Sequence, residues 1–223
     1  MDLNPSITEL TTAATDGVIA LVALACIAVL QRYRREAPYR VGLWTWVFGL
    51  LAFASLLGAI AHGLDLSAAA RSWIWRPLFL SLGFVVALFV VGAVFDYKGE
   101  RSARKSLAPM LGLGLVFFVI TEVVSGAFLV FVAYEATAML AALAMYTSLA
   151  ARRQLAGAGI VAAGIALNIL AAALQASGSV TLTLLVPFDH NGVFHLVQTV
   201  AIAVLAGGLV RGMRVKEMSA RSS

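Results

Sequence analysis

The residues able to do chemistry in this chain are three histidines, His62, His190 and His195, and the acids Asp16, Glu122 and Glu135, each inside or at the end of a long apolar run. An ionisable group in such a run costs several kcal/mol by most estimates unless it has a partner or a task. Neutral imidazoles joined by a carboxylate are the ligand set of a catalytic zinc ion, which keeps one position for water and lowers that water's pKa to about 7. The sequence holds no CxxC pair and no HExxH run, so such a site has to be assembled between helices. His62, His190, His195 and Asp16 are the candidate ligands, and Asp16 and Ser55 the candidate catalytic groups.

Spacing sharpens the expectation. Asn191, His195 and Gln198 stand at i, i+4 and i+7 and form one polar stripe, which makes Asn191 and Gln198 candidates for orienting the imidazoles. His190 and His195 are five residues apart, about 140° around an ideal helix, so both reach one ion only if His190 sits in an unwound entry to the helix. Ser55 precedes His62 by two turns and shares its face. Glu135, next to Tyr134 near the middle of its run, is expected to face protein and either to bond Asn168 or Gln175 or to be protonated. Asp189 and His190 read as loop residues that cap the last helix, Asp65 as a loop residue, and Asp96 as a solvated residue at the start of a polar loop. The competing account of the whole set is that these groups simply meet water and lipid headgroups.

The elements that position these residues follow from composition. With 61% hydrophobic against 12% charged residues and a mean hydropathy of +0.95, the chain cannot cover a soluble globule with polar surface. Apolar stretches recur at about 13–31, 41–63, 77–95, 107–123, 126–149, 156–176 and 190–210, each close to the length a helix needs to cross hydrocarbon. The sequence therefore predicts an all-α integral membrane protein, a single seven-helix bundle over residues 1–223. Glu122, Ser125 and Gly126 are the expected turn between helices 4 and 5. Pro38, Pro77, Pro109 and Pro187 are expected at or just before helix starts, where a missing N–H costs least. Trp44, Trp46, Trp73 and Trp75 are expected in interfacial aromatic belts. The lone Cys26 reads as a buried apolar side chain, and the segment from Met213 onward as a short, frayed tail.

The net charge of +5 does not point to nucleic acid, because the basic residues lie in patches beside the apolar runs. Fourteen Lys and Arg residues fall on one side of the expected spans and two, Arg71 and Arg76, on the other. The positive-inside rule makes the richer side cytoplasmic, which places the N-terminus outside and the C-terminus inside. A cell membrane, in the bacterial case the inner one, is the expected location. His62, His190, His195 and Asp16 then share the outer leaflet, and Glu122 lies at a similar depth.

The segment Asp189-His190-Asn191-Gly192-Val193-Phe194-His195-Leu196 resembles the last-helix motif of the heptahelical superfamily of alkaline ceramidases, adiponectin receptors and GPI-lipid remodelling hydrolases (CREST). Members carry His-x3-His there, Ser-x3-His on helix 2 and an Asp early in helix 3. The resemblance implies zinc held by histidines of helices 2 and 7, and hydrolysis of a lipid amide or ester. Asn191 stands where the first His of His-x3-His would be, Gly58 stands in the Ser position before His62, and no Asp opens helix 3. With Thr15-Asp16 and the run from His195 to Gln198, the chain also resembles an uncharacterised family of bacterial seven-helix proteins. The leading expectation is a zinc-dependent hydrolase of a lipid or lipid-like amide. Its rivals are a non-enzymatic heptahelical sensor or binding protein and a proton- or solute-coupled transporter built around Glu135.

Overall fold

The computed structural model describes residues 2–124 and 127–221. Its seven long helices are α1 (Ile7–Leu30), α2 (Pro38–Gly63), α3 (Ala68–Lys98), α4 (Glu100–Val123), α5 (Ala127–Ala151), α6 (Ala158–Ser177) and α7 (His190–Arg221). All seven contain stretches long and apolar enough to span a membrane. The expected turn at Ser125 and Gly126 lies outside the described residues.

The helices exceed the apolar runs because hydropathy marks only the part that meets hydrocarbon. α1 starts at Ile7, six residues before the run expected from 13, with Ser6 as its N-cap; α3 starts at Ala68, where the Ser67 hydroxyl accepts the Ala70 N–H at 3.2 Å. Pro77 and Pro109 consequently fall inside α3 and α4 rather than at their starts. Each removes one backbone hydrogen bond within a helix that continues past it. The C-terminal segment also differs from expectation, since α7 runs on to Arg221 instead of fraying from Met213.

Six helices form a closed ring in the order α1, α2, α3, α5, α6, α7, with α4 outside against α3 and α5. α3 and α4 cross at Gly83 and Gly114, where a Cβ on either would lie 2.8 Å from the other's carbonyl oxygen, the small-residue contact usual between membrane helices. Trp44, Phe48, Ile19, Leu30 and Tyr146 fill the centre. Trp44 is thus a core residue and not part of an interfacial belt, whereas Trp46 and Trp73 are exposed. Cys26 is buried, as its apolar surroundings imply.

Two short segments organise the histidine-bearing end. A two-residue antiparallel ladder, β1 (Leu182–Thr183) with β2 (Pro187–Phe188), leads the chain from α6 into α7. The N-terminal segment is stitched to the end of α2 by Asn4 N–H to Gly63 C=O at 3.0 Å and Asp65 N–H to Asp2 C=O at 2.9 Å. The basic end holds a buried network absent from the sequence expectation. Asp96, expected in solvent, accepts from Arg40 and from the Tyr146 hydroxyl, both at 2.7 Å, with 2% of its side chain exposed. α3 continues to Lys98, so Asp96 sits on its last turn and turns inward to the only buried arginine among the described residues.

Candidate functional site

Helix α1 builds the site. Its first three turns carry Thr8, Glu9, Thr11, Thr12, Thr15 and Asp16, polar residues recurring at helical spacing on one side. That side docks the entry to α7: the Thr11 hydroxyl donates to Pro187 C=O at 2.9 Å and the Thr12 hydroxyl to Asp189 at 3.2 Å. Asp189 also accepts the Gly192 N–H at 2.9 Å, so it caps α7 as expected.

Each of the two acids on α1 stands near one histidine, and Glu9 is hydrogen-bonded to its own. Glu9 accepts at 2.7 Å from Nδ1 of His62, whose ring stands edge-on to Trp75. Asp16, two turns further along α1, lies 3.6 Å from Nε2 of His195. The other nitrogen of that ring, Nδ1, is 3.0 Å from the Thr15 hydroxyl, which itself donates to Thr12 C=O at 2.8 Å. A hydroxyl has one proton, so the Thr15 oxygen accepts and His195 donates from Nδ1. Both rings are therefore fixed through Nδ1, leaving Nε2 as the open nitrogen.

Asp16, Ser55, His62, His190, Asn191, His195 and Gln198, the candidates read from the sequence, all line one cavity of about 550 Å³. Its remaining walls are mainly apolar, with Leu51, Leu78, Phe79, Leu82, Phe131 and Phe194. Gln175 donates to Asn191 at 3.1 Å across the α6–α7 contact, leaving Glu135 to bond Asn168 instead, at 2.9 Å and deeper in the bundle. Glu122 does not join the set; it pairs with Arg76 at 3.0 Å in a half-exposed bridge between α4 and α3.

Gly58 explains one departure from the helix 2 pattern. A Cβ there would lie 2.6 Å from Oδ2 of Asp16, so the missing side chain is the room the Asp16 carboxylate occupies. α1 packs against both α2 and α7, and His62 of α2 and His195 of α7 face the same cavity from either side of it. Among the described residues no three His, Cys, Asp or Glu side chains gather at metal-ligating spacing. The donors instead divide into two carboxylate–imidazole pairs, and in this arrangement they do not fit a three-ligand zinc site.

Glu9 is the functional candidate that sequence reasoning missed. The signal was present, since Glu9, Thr12 and Asp16 follow i, i+3 and i+7, but a helix taken to start at 13 hides two of the three.

The family model of a family of unknown function (DUF6962) matches residues 11–214, from the polar face of α1 to near the end of α7. The chain belongs to this family. Nothing matches among curated proteins or among solved structures. The DUF6962 match reaches all seven helices and includes every cavity residue named above, Glu9 lying just before it, and it adds no support for the ceramidase-type resemblance.

Proposed function

We propose that this membrane protein is a binding protein whose outward cavity takes an amphipathic small molecule with an uncharged, hydrogen-bonding head, such as a lipid amide or alcohol. The observation that carries the reading is the lining itself. Among the described residues that line the cavity none is Lys or Arg, and the one acid, Asp16, stands beside His195. A phosphate or carboxylate head would find no fixed cation there, whereas a neutral head can use Ser55, Asn191 and Gln198. The volume of about 550 Å³ falls within the roughly 300–1,000 Å³ of small-molecule sites, and the apolar walls suit a hydrocarbon chain. Outward orientation rests on the charge asymmetry of the loops.

The test is a thermal-shift series on the purified protein in nanodiscs, using a long-chain amide, alcohol, fatty acid and phosphate monoester of equal chain length. The neutral ligands should stabilise it and the anionic ones should not, with the response lost in Gly58→Leu. Equal stabilisation by the anionic ligands, or by none, would refute the assignment.

A second reading, hydrolysis of such an amide or ester, is favoured by one feature: each imidazole keeps Nε2 open, and at His195 that nitrogen stands beside Asp16. Fatty-acid release that disappears in His195→Gln, measured with and without added zinc, separates turnover from binding alone.

A further inference from the structure

Deeper than the outer cavity lies a second one of about 70 Å³, walled by α2, α3, α5, α6 and α7 and sharing Leu51, Leu82, Phe131 and Gln198 with it. Glu135 is the one titratable group among the described residues that line this inner cavity. We infer that the inner cavity is a proton-binding site, with Glu135 as the carrier and Gln198 at the passage to the outer cavity.

The surroundings of Glu135 supply no cation. Asn168 of α6 donates to its Oε1 at 2.9 Å, and the cavity it lines is walled further by Gln198 from α7, Trp44 from α2 and the apolar Leu82, Val85, Val86 and Phe89 from α3. The outer cavity, which shares Gln198, adds the titratable groups Asp16, His62, His190 and His195. Toward the cytoplasmic end the next is Tyr146, three turns along α5 and already bonded to Asp96, which pairs with Arg40. Tyr134 turns away to donate to Gly83 C=O. A carboxylate so placed costs several kcal/mol without a counter-charge, and a proton is the smallest one available.

The inner cavity also suits water. At about 30 Å³ per molecule it admits roughly two, and a buried water needs two to four polar partners. Glu135, Asn168 and Gln198 provide them, and Trp44, another lining residue, has a fully buried indole N–H with no acceptor among the described protein atoms. The exchange is a simple transfer: the Glu135 carboxyl gives its proton to water, which becomes hydronium while the carboxylate remains, and the reverse step restores the acid. This does not depend on which ligand the outer cavity takes.

The experiment is infrared spectroscopy of the protein in nanodiscs, following the C=O stretch of protonated carboxyl groups after a switch from H2O to D2O. A band absent from Glu135→Gln should shift promptly in the wild type and at least roughly tenfold more slowly in Gln198→Leu. Leu51→Phe, which narrows the shared wall from α2, should act likewise and decides the matter if Gln198→Leu does not fold. The band should be the same in sodium and potassium. Absence of a Glu135 band, unchanged exchange in the folded passage variants, or loss of the band in sodium would each overturn the inference.

Discussion

Gly58 and Asp16 occupy one space: the absent side chain on α2 leaves room for the carboxylate on α1, whose Oδ2 would lie 2.6 Å from a Cβ at position 58. Gly58→Ala should therefore push Asp16 from its place beside His195 and cost about 1–3 kcal/mol, as overpacking does. Thermal unfolding in nanodiscs measures that cost. Gly58→Ala in an Asp16→Ala background should recover part of it, because the clash is then removed. An equal cost in both backgrounds would mean that something other than the carboxylate fills the space.

The two acids of α1 make a second prediction. Glu9 with His62 of α2 and Asp16 with His195 of α7 are separate pairs whose acids share α1, so each should show its own coupling in a double-mutant cycle. Alanine replacements within a pair should interact by about 0.5–3 kcal/mol, while Glu9 with His195 should be closer to additive. Strong coupling across the pairs would instead indicate that all four groups share one site.

How much of this was legible depended on which physical signal each residue left. The spans and the polar role of His62, His195 and Asp16 showed because an ionisable residue inside an apolar run is conspicuous. Glu9 did not show, because hydropathy ends a helix where hydrocarbon ends and so cut off the first two turns of α1. Pro77 misled for the same reason, the helix having begun nine residues earlier at Ala68. Asp96 looked like a loop residue because its burial depends on Arg40 and Tyr146, which are far away in sequence and meet it only through packing. Pairing between helices, which decides that α1 stands between α2 and α7, leaves no trace in any one run.

The Arg40–Asp96–Tyr146 network should clamp the basic end of the bundle. Asp96→Ala leaves a buried guanidinium unpaired and should cost about 3–5 kcal/mol, whereas Tyr146→Phe removes one hydrogen bond to a charged group and should cost about 1.5–3 kcal/mol. Unfolding midpoints in detergent rank the two. Asp96→Ala as mild as Tyr146→Phe would show that Arg40 finds water or a headgroup once its partner is lost.

Glu135 faces Asn168 inside the bundle, so the type of replacement matters more than loss of the acid. Glu135→Gln keeps a hydrogen-bonding group of the same size and should change stability by less than about 1 kcal/mol. Glu135→Leu leaves the Asn168 amide without its acceptor and should cost about 1–3 kcal/mol, read from the same unfolding curves. Greater stability in Glu135→Leu would mean that the polar contact does not help hold α5 against α6.

The orientation can be tested at two exposed positions without disturbing either cavity. Leu185, fully exposed in the turn between β1 and β2, is at the histidine-bearing end, and Arg101, exposed near the start of α4, is at the basic end. The single native Cys26 is buried, so an impermeant maleimide should leave the parent protein unlabelled. The 14-to-2 split of Lys and Arg predicts that Leu185→Cys reacts in intact cells and Arg101→Cys only after permeabilisation. A tag before Asp2 should likewise be external and a reporter fused after Ser223 cytoplasmic. The arms are independent, since the cysteines report the loops and the fusions report the termini. Labelling of Arg101→Cys but not Leu185→Cys in intact cells would invert the bundle and make the Asp16–His195 cavity a site for cytoplasmic ligands.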